Sequence, residues 1–63
     1  MKLYDVVQLQ ADLPDQGLLK GQVGAIVDIY SVPRTAYEVE FTDNLGRTIA
    51  LIALDPTQIA LVS

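Results

Sequence analysis

A chain of 63 residues makes one domain and leaves no room for a second. The absence of Cys and His excludes disulfides and Cys-ligated metal sites, and removes the commonest metal ligand and general base. Four basic residues against eight acidic ones give a net charge of −4, a poor match to a phosphate backbone, which rewards a basic stripe. Half the residues are apolar, which sets the chain apart from disordered acidic tails. No apolar run approaches the roughly 18 residues of a membrane span, and no signal-type apolar stretch opens the chain. These bounds predict a soluble, cytoplasmic, single-domain protein.

Val and Ile supply 12 residues, in short runs parted by Gly, Pro, Asp and Asn. That is strand composition with turn punctuation. No window sustains an i, i+3, i+4, i+7 stripe over three turns, so no long helix is expected. The first run is Leu3 to Gln10, where Val7 and Leu9 alternate with Gln8 and Gln10. Pro14 and Gly17 forbid a continuous element from Ala11 to Lys20. This segment reads as a long ordered loop with Leu13, Leu18 or Leu19 tucked onto the core. Gly21-Gln22-Val23-Gly24 opens the second strand, Ala25 to Tyr30, and its paired glycines predict a turn followed by a bend where a Cβ would clash. Ser31 to Thr35 is a loop.

Ala36 to Thr42 is the clearest strand, with Tyr37, Val39 and Phe41 on one side and Glu38 and Glu40 on the other. Asp43-Asn44-Leu45-Gly46 fits a type I turn with Gly46 left-handed, closing a bulged hairpin. This turn places Asp43 opposite Arg47, Phe41 opposite Ile49, Val39 opposite Leu51 and Tyr37 opposite Ala53. It also puts Ala50 and Ile52 on the outer face with Glu40 and Glu38. Thr48 to Leu54, TIALIAL, is apolar on both sides. Asp55 can cap and Pro56 suits a first helical position, so one 3₁₀ turn is expected over Asp55 to Gln58 before a last short strand, Ile59 to Val62. The expected core is Val7, Leu9, Val27, Ile29, Tyr37, Val39, Phe41, Ile49, Leu51, Ile59 and Leu61, with Ile26 competing with Val27 for the interior. The expected fold is all-β, a small twisted barrel of five short antiparallel strands.

This order of elements resembles the SH3-like barrel, through the long first loop, the hairpins and the 3₁₀ turn at Asp55 to Gln58. KGQVGAIV, Lys20 to Val27, resembles the Gly-x-x-Gly-x-Val strand opening of ribosome- and transcription-associated KOW modules. Taken whole, the chain is similar to a family of short bacterial proteins, many of them cyanobacterial, known only as a domain of unknown function. GLLKGQVGAIVDIY and AYEVEF are the most specific segments of that resemblance. It implies a small stand-alone protein. Since some members lie beside toxin-like genes, it also implies an antitoxin or immunity role, and it supplies no catalytic or ligand residues.

LYDVV, Leu3 to Val7, resembles the opening of peptide-binding SH3 domains, which hold polyproline in a groove of clustered aromatics. Trp is absent and Tyr37 and Phe41 go to the core, so Tyr4 reads as an edge-packing residue. Lys20, Arg34 and Arg47 are scattered among eight carboxylates, which argues against RNA binding through the KOW-like opening. Glu38 and Glu40 lie about 7 Å apart on one strand face. With no third ligand at a matching spacing and no nucleophile–base pair, they predict neither a metal site, a cofactor nor catalysis. What the sequence offers is a candidate partner face: Glu38 and Glu40 with the apolar Ala50 and Ile52. The expectation is a non-catalytic interaction module for a basic protein, itself a monomer or weak homodimer. A nucleic-acid- or ribosome-associated barrel and a docking subunit of an enzyme complex are the competing readings.

Overall fold

Tyr37, Val39 and Phe41 are buried while Glu38 and Glu40 are only partly covered, so the alternating strand at the middle of the chain has one inner and one outer face. The computed structural model describes residues 1–62. Its strands are β1 (Val6–Leu9), β2 (Val23–Tyr30), β3 (Ala36–Thr42), β4 (Thr48–Leu54) and β5 (Ile59–Leu61). They form one antiparallel sheet in the order β4-β3-β2-β1-β5. Nine buried side chains, drawn from every strand and from the first loop, make a single cluster, so the sheet curls around one core. The expected all-β fold of five antiparallel strands with a 3₁₀ turn before the last is met. Among the described residues no helix is long and apolar enough to cross a membrane.

The two turns bounding β4 form as their residues dictate. Gly46 is left-handed at φ 79°, its N–H donates to the Asp43 carbonyl at 3.0 Å, and the Asp43 N–H donates to the Arg47 carbonyl at 2.9 Å. The Asp43 carboxylate accepts from the N–H groups of Leu45 and Arg47 and from Arg47 Nε, at 2.8, 2.9 and 2.8 Å. After β4, Asp55 caps the 3₁₀ turn Pro56–Gln58. Its carboxylate accepts from the Thr57 N–H, and Gln58 Oε1 accepts from the Asp55 N–H. This reciprocal arrangement satisfies donors that the turn would otherwise leave open.

Between these turns the expected register fails by one residue. Thr42 pairs with Thr48 as the turn demands, but Phe41 pairs with Ala50, Val39 with Ile52 and Tyr37 with Leu54. Ile49 is the extra residue of a β-bulge, and beyond it every side chain of β4 changes face. Ala50, Ile52 and Leu54 therefore point inward, and Ile49 and Leu51 point outward, 49% and 55% exposed. The physical reason is space. Phe41 is fully buried, and its other neighbour is Gly24 on β2, where an added Cβ would meet Phe41 Cδ1 at 3.0 Å and Val39 Cγ1 at 2.7 Å. The ring lies between the two smallest side chains available to it.

A second register shift in β2 falls between Ile26 and Asp28. It settles the competition for the interior in favour of Ile26, which is fully buried, and leaves Val27 only half-buried. Ile29 lies beyond that shift and Leu61 on the three-residue edge strand β5, and neither enters the core. In the first loop Leu18 is the buried leucine, Leu13 packs against the core, and Leu19 is exposed. The loop also holds a second 3₁₀ turn, Pro14–Gln16, where one such turn in the whole chain was expected. Tyr4 does not pack on an edge. It is left-handed at φ 69° and largely exposed, with its N–H donating to the Ile26 carbonyl at 2.6 Å.

Two outcomes follow for stability. Leu54→Ala costs about 2–5 kcal/mol in urea denaturation, enough to unfold a domain whose core supplies little more, whereas Leu51→Ala changes stability by no more than about 0.5 kcal/mol. The unbulged register requires the opposite ranking. The hydrogen bonds to Asp43, led by the Arg47 N–H, and those to Asp55, led by the Thr57 N–H, hold both carboxyls below the ordinary 3.8. Folded values below unfolded ones give stability that is present above pH 3.8 and is lost as pH falls through the folded values. The urea midpoint should stay level from about pH 7 to about pH 5 and drop below about pH 4. Asp43→Asn/Asp55→Asn should be less stable at neutral pH and show a shallower acid fall.

Candidate functional site

The outer face is organised by β3, because its alternation sends Glu38 and Glu40 to the side opposite the core. Across the sheet, Asp28 stands opposite Glu38 and Glu38 opposite Ala53; Val6 pairs with Ala25, Ala25 with Glu40, and Glu40 with Leu51. The second of these rows runs over four strands, with exposed apolar ends at Val6 and Leu51. The first holds two carboxylates directly opposed. Like charges in such a position are mutually destabilising.

Hydrogen bonds orient both glutamates. The Tyr30 hydroxyl donates to Glu38 Oε1 at 2.9 Å, and the Thr48 hydroxyl donates to Glu40 Oε2. The bond to Glu38 pushes the Tyr30 phenol above its ordinary 10.0, helped by partial desolvation and by the charges of Glu38 and Asp28, so this hydroxyl stays a donor. Among the described residues no cation pairs with the carboxylates of this face. Among the described residues the one ion pair is Arg47 Nε to Asp43 Oδ2, at 2.8 Å, in the β3–β4 turn. Lys20 and Arg34 are exposed in loops, and no basic stripe runs across the sheet. The described residues contain no pocket and no group of three or more His, Cys, Asp or Glu placed to hold a metal ion.

Of the four residues expected on this face, Glu38 and Glu40 are there. Ala50 and Ile52 are not: the bulge at Ile49 turns them to the core side, where both are half-buried against the central cluster. Their places are taken by Ile49, Leu51 and Ala53. Asp28 and Tyr30 complete the surface from β2. Asp28 was legible only as one more acidic residue, because nothing in the sequence aligns it with Glu38 until the shift at Val27 is known. Tyr30 had no partner assigned, and the sequence marks it only as an aromatic outside the expected core.

The opposed carboxylates make a measurable claim. Asp28→Asn keeps the side-chain acceptor used by the Ile29 N–H and removes one charge. It should raise stability by roughly 0.2–1 kcal/mol at low ionic strength, a gain that shrinks as salt screens the pair. An unchanged urea midpoint at low salt would show that the two carboxylates do not oppose one another.

The family model described as Domain of unknown function (DUF4926) matches residues 3–61. No curated protein and no solved structure matches the chain.

Proposed function

The chain belongs to the DUF4926 family, and we propose that it is a non-catalytic protein-interaction module whose outer sheet face receives a basic partner protein. One observation carries this reading. Asp28, Glu38 and Glu40 share a face with exposed Leu51 and Ile49, and among the described residues no Lys or Arg pairs with them. A solvent face gains nothing from opposed carboxylates, whereas a basic partner converts them into complementary charge that steers encounter and fixes register. The exposed apolar residues Ile49 and Leu51 lie beside them on the neighbouring strand and add apolar surface to such an interface. The five-strand order supports an SH3-like reading of the barrel. A cytoplasmic antitoxin, immunity protein or accessory subunit is the kind of role such a module fills.

The test is affinity capture from lysate of the source organism, comparing wild type with Glu38→Lys/Glu40→Lys/Leu51→Asp. Circular dichroism establishes that the variant is folded. The expected result is a protein retained by wild type, released progressively as salt rises, and lost from the folded variant. Equal retention by both, or retention of nucleic acid in place of protein, contradicts the proposal.

A further inference from the structure

The sheet has two edge strands, and only one of them is blunted by shortness. β5 has three residues; β4 has seven, none of them charged and none of them proline. Natural edge strands are protected by shortness, charge, proline or a bulge, because their unpaired N–H and C=O groups template further strands. β4 has one such device, the bulge at Ile49, and it leaves Ala50 to Leu54 as a regular edge. Among the described residues no strand lies beyond β4. Among the described residues, no backbone hydrogen bond outside the sheet involves Thr48 to Leu54.

The side chains flanking this edge specify what would fit it. On the outer face the first neighbour is Leu51, with Glu40 directly behind it on β3 and Glu38 behind Ala53. Strands lie about 4.8 Å apart, so a strand added to β4 stands roughly 10 Å from β3. A Lys or Arg on that added strand can lay its methylene stem across Leu51 and bring its charged head to Glu40. On the inner face the neighbours are the half-buried Ala50 and Ile52, which call for apolar side chains. A second copy of β4 has no cation to offer and would leave both glutamates unpaired.

We propose that the edge of β4 receives an extended segment of a partner protein as an added strand. Its residues alternate between basic, reaching over Leu51 to Glu40 and over Ala53 to Glu38, and apolar, continuing the core face. This rests on the acidic-face reading and adds a separate claim, that main-chain pairing at β4 carries the affinity.

Three capped heptapeptides, matched in length to β4, separate the two claims. One alternates lysine and valine, one groups the same residues into two blocks, and one alternates them with N-methylated backbone at every second position. Binding to the isotope-labelled protein is followed by amide chemical shifts. The alternating peptide should bind and move the amides of residues 50 to 54, while the other two bind about tenfold or more weakly, having lost register or hydrogen bonds. Glu38→Gln/Glu40→Gln should weaken the alternating peptide in the same assay. Equal binding of all three peptides, with the β4 amides unmoved, overturns the edge proposal and leaves the acidic-face reading standing. Absence of binding by the alternating peptide overturns it as well. A wild type that sediments as a dimer with β4 amides protected from exchange shows the edge filled by a second copy, which also overturns it.

Discussion

The tight packing of β3 around its buried Phe41 ring is the constraint on which the neighbouring strands bear most closely. Gly24 pairs with Phe41 from β2 and Ala50 from β4. On the β2 side even one carbon is too many: a Cβ at position 24 would lie 2.7 Å from Val39 Cγ1 and 2.8 Å from the Glu40 carbonyl oxygen, inside the distances that packed atoms tolerate. On the β4 side the turn at Asp43 to Gly46 would deliver Ile49 opposite the ring. The bulge inserts one residue and delivers Ala50 instead. A steric demand thus accounts for Gly24 on the β2 side, the bulge sets Ala50 opposite the ring on the β4 side, and the two registers decide which side chains lie on the outer face.

The face follows from the packing in a direct way. Once Ala50 turns inward, alternation sends Leu51 outward beside Glu40 and Ala53 outward beside Glu38. The shift in β2 sets Asp28 opposite Glu38. No residue of the outer face contributes to the buried cluster, so its composition is free of the demands that shape the interior. On this surface two carboxylates stand opposed, while hydroxyls from Tyr30 and Thr48 hold the glutamates in place. In a domain this small, where a single core supplies only about 3–5 kcal/mol, electrostatic opposition within a sheet is a noticeable fraction of the whole.

How far the fold can be read from sequence depends on whether each segment carries an asymmetry. β3 carries a strong one, apolar against acidic, and its bounds and facing are plain. The Asp43 to Gly46 turn and the Asp55–Pro56 cap are written in residues whose chemistry admits few alternatives, and both form as read. β4 carries none: in TIALIAL a slip of one residue exchanges one apolar set for another, so the pattern is silent about facing. The same silence covers Ile26 and Val27, and Leu18 against Leu19. The clue to β4 lies across the sheet, in the small residues that must face Phe41, and Gly24 and Ala50 show it only when considered together. The candidate face inherited this ambiguity: its acidic half, on β3, was legible, and its apolar half, on β4, was assigned to the wrong side.

The most direct measurement is the pattern of proton–proton contacts across β3 and β4 in solution. With β4 bulged at Ile49, the Phe41 ring contacts the Ala50 methyl, Glu40 contacts Leu51 and Val39 contacts Ile52. Contacts of Phe41 with Ile49 and of Val39 with Leu51 in their place would mean that β4 is unbulged. Ala50 and Ile52 would then lie on the outer face, and the packing argument around Phe41 would be wrong.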